Sequence, residues 1–197
     1  MGNVPVLRRI SGVCGIASQL VGLTIILVVA SISPWFSWTE NDLSILGVEG
    51  STTSLFNSGL IATGLLSLVF AMGLGKSLVT NLVGYFGLAS LSLGSISLAV
   101  VGLFPRSIDL PHDSASIAFF VFIALALLLI GIAAIIASHR RWGVLSFVSA
   151  AVTLAFLLVP WPWTGGAIEQ LLSCLPWALW TVLLGFRLLV EKRTANI

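Results

Sequence analysis

The chain has 197 residues, of which 58 % are hydrophobic and 8 % charged, with a formal charge of +2 and a mean hydropathy of +1.12. A soluble domain carries about 25 % charged residues, so this composition excludes a water-soluble globular protein. The small, dispersed positive charge excludes a nucleic-acid-binding arm, and the length leaves no room for a separate catalytic domain beside a membrane bundle.

A helix needs about 20 apolar residues to cross a hydrocarbon core about 30 Å thick. Six stretches are candidates: 10–33, 55–75, 78–104, 115–137, 143–159 and 167–190, the fifth being the shortest and ending at Pro160. They are too long for barrel strands and do not alternate polar with apolar residues. The predicted fold is therefore all-α, a single six-transmembrane-helix bundle and a multi-pass protein of the cell membrane. The first stretch follows Arg8 and Arg9 and has no small-residue cleavage site before Pro34-Trp35, so it reads as an uncleaved span. Small residues recur along one face of it (Ser11, Gly15, Ser18, Gly22), along the second span (Gly59, Thr63, Ser67, Ala71, Gly75) and in the third (Gly84, Gly87, Ser90, Gly94). Such faces let helices approach closely in lipid, and the first three spans are expected to pack tightly. Pro176 removes a hydrogen bond to the carbonyl of Leu172 within the last span. Cys14 and Cys174 fall at different depths, in no metal or redox spacing, and are expected to remain unpaired.

The connecting segments are sorted by sign. Arg8, Arg9, Lys76, Arg140, Arg141, Lys192 and Arg193 fall on one side; Glu40, Asp42, Glu49, Asp109, Asp113 and Glu169 fall on the other. The positive-inside rule puts both termini in the cytoplasm. Arg187, about one turn from the inner end of the last span, can snorkel. Trp35, Trp38, Trp161 and Trp163 mark the outer interface. In the long first outer connection, Thr39 and Asp42 have capping-box spacing and Gly47 a stop position, which predicts a short interfacial helix over 40–46. The third outer connection, Pro160-Trp161-Pro162-Trp163-Thr164-Gly165-Gly166, reads as rigid and then flexible.

The outer face collects the polar residues from which a site can be built. Asp42, Ser44, Asn57, Arg106, His112 and Glu169 are the expected binding residues, with Arg106 suited to an anionic headgroup. His112 is the sole outer histidine and is a candidate acid–base group; catalysis would pair it with Ser44 as nucleophile and Asp109, Asp113 or Glu169 as orienter. Each acid also has a structural role open to it. Asp42 and Asp109 can cap helices, and Asp113 and Glu169 sit in first turns, where the helix dipole favours negative charge. Asn57 and Gln19 suit hydrogen bonds between helices. No metal motif, phosphate loop or cofactor signature is present. Three classes of function remain: a pocket for a lipid headgroup, cation or small amphiphile; an intramembrane lipid enzyme; and an accessory subunit. The expected partners are membrane lipids, a second copy, or a membrane complex, with no nucleic acid.

Several segments occur in a telling order: Asp42-Leu43-Ser44-Ile45-Leu46-Gly47, Phe56-Asn57-Ser58-Gly59-Leu60-Ile61, Gly102-Leu103-Phe104-Pro105 with His112 following, and Ile168-Glu169 opening a span that closes with Gly185-Phe186-Arg187-Leu188-Leu189. Together they resemble a family of prokaryotic six-helix membrane proteins, domain of unknown function 998. The resemblance covers nearly the whole chain and implies six helices with the N-terminus inside. It also implies Ser44, Asn57, His112 and Glu169 as recurrent polar positions. A basic residue often follows the acid in the last span of that family; here Gln170 stands there. The resemblance implies no activity.

Overall fold

A computed structural model describes residues 6–75 and 81–190. It contains six α-helices long and apolar enough to cross a membrane: α1 (Val6–Ser31), α2 (Thr53–Gly75), α3 (Leu82–Leu103), α4 (Asp109–Ile136), α5 (Arg140–Leu158) and α6 (Ala167–Val190). The expected start of the third span at residue 78 lies outside the described residues, as do Lys76, Lys192 and Arg193.

Each helix packs on its neighbours in the chain, and α6 returns to α1, so the six close into a ring. Small residues make that closure possible. A Cβ on Gly12 would lie 2.8 Å from the carbonyl oxygen of Gly185, and one on Gly185 would lie 2.9 Å from that of Gly12. Backbone therefore meets backbone where α1 crosses α6. On its other side α1 meets α2, with Gly15 against Phe70, Gly22 against Thr63 and Gly59 against Ile25. In α3, Gly87 and Gly94 face Ile130 and Ile123 of α4 rather than α1 or α2.

The ring has two unlike ends. One end carries Arg8, Arg9, Arg140, Arg141 and Arg187. There Arg187 lies over the Trp142 ring, 4.9 Å from its centroid, which shelters the cation within reach of the interface. The turn between α4 and α5 has Ser138 at φ 63°, with Ser138 N–H donating to Ile135 and His139 N–H to Ala134. This is a left-handed helix ending of the kind glycine usually supplies. The opposite end carries Glu40, Asp42, Glu49, Asp109, Asp113 and Glu169 and, among the described residues, one arginine, Arg106. Towards the arginine end the interior is filled by Phe70 and Trp180, both fully buried and edge-to-face at 6.1 Å. The Trp180 indole N–H donates to Ser146 Oγ at 2.8 Å, which satisfies the polar edge of the plug.

At the acidic end the first connection differs from the expected interfacial helix over 40–46. It forms a single 3₁₀ turn, Leu43–Gly47. Asp42 makes no side-chain cap there, because both its carboxylate oxygens are engaged elsewhere, and the Thr39 hydroxyl lies 3.3 Å from Ser37 Oγ instead. The turn folds inward, with Leu46 fully buried and Leu43 nearly so. Asp109 likewise does not cap α4. The helix begins at Asp109 itself, six residues before the expected apolar run, since Pro111 is tolerated within a first turn.

Candidate functional site

The first connection is held across the mouth of the ring by the segment that opens α6. Gly165 N–H donates to Thr39 O at 2.9 Å and Ala167 N–H to Asn41 O at 3.0 Å. Gly166 N–H donates to Asp42 Oδ1 at 2.9 Å, and Leu43 N–H to Gln170 Oε1 at 3.0 Å. This corrects the expectation that Gly165 and Gly166 are flexible. A Cβ on Gly165 would collide with the backbone of Glu40 and Asn41, so this glycine serves close approach of two chains rather than freedom.

Beneath this cover lies a cavity of about 220 Å³ inside the ring, lined by α1, α2, α3, α4 and α6 and by the 3₁₀ turn. Its walls change character with depth. Asp42, Ser44, Arg106, His112, Asp113 and Gln170 surround the mouth, with Phe56 against the 3₁₀ turn; Leu60, Leu98, Phe119 and Trp177 line the depth. His112 to Phe119 along α4, and Gln170 to Trp177 along α6, are each seven residues, about 10 Å at 1.5 Å per residue. The floor is the edge-to-face pair Phe119–Trp177, 5.5 Å between centroids. Two buried polar side chains, Gln19 and Thr63, lie among the deep residues, and the Thr63 hydroxyl donates to Gly59 O at 2.8 Å.

The predicted site residues divide. Asp42, Ser44, Arg106 and His112 line the cavity together; Asn57 and Glu169 do not. Asn57 Nδ2 donates to Gly47 O at 2.9 Å and fastens the 3₁₀ turn to α2. Glu169 contributes its backbone carbonyl to Ser173 Oγ at 2.6 Å, and its carboxylate lies beside Gly166. Arg106 pairs with Asp42 Oδ2 and donates to Ser44 Oγ at 3.3 Å, so it ties the second outer connection to the first. Its side chain is 43 % exposed, and such a pair contributes little to stability.

His112 is 4 % exposed, and its Nδ1 lies 2.8 Å from the carbonyl oxygen of Phe104. A carbonyl can only accept, so Nδ1 carries the proton in this bond and Nε2 of the neutral ring is an acceptor. Among the described residues, no hydrogen bond joins His112 to Ser44 or to a carboxylate, so the nucleophile–base pairing required for catalysis is not assembled. No group of three or more His, Cys, Asp or Glu residues fit to hold a metal occurs among the described residues. Cys14 and Cys174 are free thiols.

Gln170 is the residue sequence reasoning missed. It accepts the N–H of Leu43 and lines the cavity. The signal was its place directly after Glu169 at the start of the last span, where the family resemblance expects a base.

The model of a family described as "Protein of unknown function (DUF998)" matches residues 16–187. No curated protein matches the chain, and no solved structure matches it.

Proposed function

The chain belongs to the DUF998 family of membrane proteins of unknown function, and from that premise we propose that it binds a small amphiphile at the extracytoplasmic side of the membrane. The observation that carries this reading is the gradient within one cavity: charged and hydrogen-bonding groups at the mouth, aromatic and aliphatic side chains about 10 Å below. A polar group would stay near Asp42, Ser44, Arg106 and His112 while an apolar body displaces water from the depth. The plug of Phe70 and Trp180 favours binding over passage, since the interior is filled below the cavity floor. The arginines at the opposite end support the extracytoplasmic placement, since the positive-inside rule favours a cytoplasmic side for the basic end.

Native mass spectrometry of gently extracted protein tests the reading. A bound small amphiphile is expected on the wild-type chain and is lost in Ser116→Phe, whose added ring occupies the cavity wall. A wild-type chain that carries no such species, or carries it equally in Ser116→Phe, would contradict it.

A further inference from the structure

Two acceptors that open into the cavity have no protein donor among the described residues, and together they specify the ligand more closely. The first is His112 Nε2. The ring is 4 % exposed, its Nδ1 is committed to Phe104 O, and no hydrogen bond to its other nitrogen exists among the described residues. The second is Gln19 Oε1. Gln19 is also 4 % exposed; its Nε2 donates to Ser18 Oγ at 3.0 Å, and its oxygen accepts nothing among the described residues. Both side chains line the same cavity, His112 near the mouth and Gln19 at depth. An acceptor that faces a cavity and has no protein donor rewards a ligand that brings an N–H or O–H, by about 0.5–1.5 kcal/mol for a neutral hydrogen bond.

Charge decides between donors at the mouth. Asp113 lines the cavity next to His112 and has no ionic partner among the described residues, whereas Arg106 is already paired with Asp42. Glu169 adds negative charge beside Gly166. A cation that carries N–H groups is favoured there twice, by Coulomb attraction to Asp113 and by a charge-assisted hydrogen bond to His112 Nε2. At depth no carboxylate lines the cavity beside Gln19 and Thr63, so a neutral hydroxyl suits Gln19 better than a second charge.

We propose that the ligand is an amphiphilic amine, with its ammonium held between His112 and Asp113 and a neutral hydrogen-bond donor deeper in the cavity on Gln19, joined by an apolar spacer. The spacer packs on Phe56, Leu60 and Phe119. The proposal rests on the cavity reading above.

Titration calorimetry in a non-ionic detergent tests it, with four probes of one chain length: octylamine, octyltrimethylammonium, 1-octanol and 8-amino-1-octanol. Octylamine is expected to bind about tenfold more tightly than octyltrimethylammonium, which keeps the charge but has no N–H, and more tightly than 1-octanol. The amino-alcohol is expected to bind several-fold more tightly than octylamine. Asp113→Asn, at an exposed position, should remove most of the preference for octylamine over octanol. Gln19→Leu, nearly equal in volume, should remove the advantage of the amino-alcohol over octylamine. Octyltrimethylammonium binding as well as octylamine, or the amino-alcohol gaining nothing over octylamine, overturns this assignment and leaves the cavity reading standing. No probe binding in a manner sensitive to Ser116→Phe overturns the cavity reading itself.

Discussion

Gly165→Ala is expected to release the cover of the cavity without unfolding the bundle. The new Cβ would collide with the backbone of Glu40 and Asn41, and backbone, unlike a side chain, has no rotamer by which to move aside. The two segments must separate, and the bonds nearest the collision are Gly165 N–H to Thr39 O and Ala167 N–H to Asn41 O. Each contributes about 0.5–1.5 kcal/mol net. Losing both weakens closure by about 2 kcal/mol, which raises the open population about 30-fold. Amide hydrogen exchange followed by mass spectrometry reads this directly. Peptides covering 39–47 and 163–170 should exchange faster by about that factor, while peptides from α2 and α3 keep their wild-type rates. Thr164→Ala, at an exposed neighbouring position, should change neither. Wild-type exchange in 39–47 for Gly165→Ala would refute the docked cover.

Three other outcomes follow from the packing and the charge asymmetry. Ser138→Gly should stabilise the protein by about 1 kcal/mol, because the left-handed conformation at Ser138 costs a Cβ-bearing residue about that much; an unchanged or lower thermal midpoint in detergent contradicts it. Trp180→Phe removes the indole donor to Ser146 Oγ and leaves a gap beside Phe70, so it should destabilise by about 1–3 kcal/mol, read by the same melt. With Cys14 and Cys174 replaced, a cysteine at His139 should react with a membrane-impermeant maleimide only after the cytoplasmic side is opened. One at Glu49 should react in intact cells, and the reverse pattern overturns the proposed orientation.

The spans were legible because a bilayer imposes length and apolarity on whatever crosses it, and those quantities are local in sequence. The sorting of charge between the two ends was legible for the same reason: alternating helices place alternate connections together. The small-residue face of α1 was also readable, though Gly12, the residue that meets α6, lies one step beyond the face formed by Ser11, Gly15, Ser18 and Gly22. What was not legible depends on contacts between segments far apart in sequence. Thr39 and Asp42 have the spacing of a capping box, but Asp42 is taken by Gly166 and Arg106, at separations of 124 and 64 residues. Gly165 and Gly166 look like a hinge until the backbone of residues 40–41 is laid against them. Asn57 reads as a polar site residue, and its amide in fact secures Gly47. His112 was recognised as a candidate, whereas its free acceptor follows only from the 2.8 Å contact with Phe104.

Photo-crosslinking tests the central claim most directly. An eight-carbon amine with a diazirine at the far end of its chain, bound to the wild-type protein and illuminated, places a covalent mark wherever that chain end resides. The cavity reading predicts modification at Phe119, Phe120 or Trp177, suppressed by Ser116→Phe. Modification at the α2–α3 groove, on Leu65, Ile96 or Leu103, without labelling of the floor would contradict it.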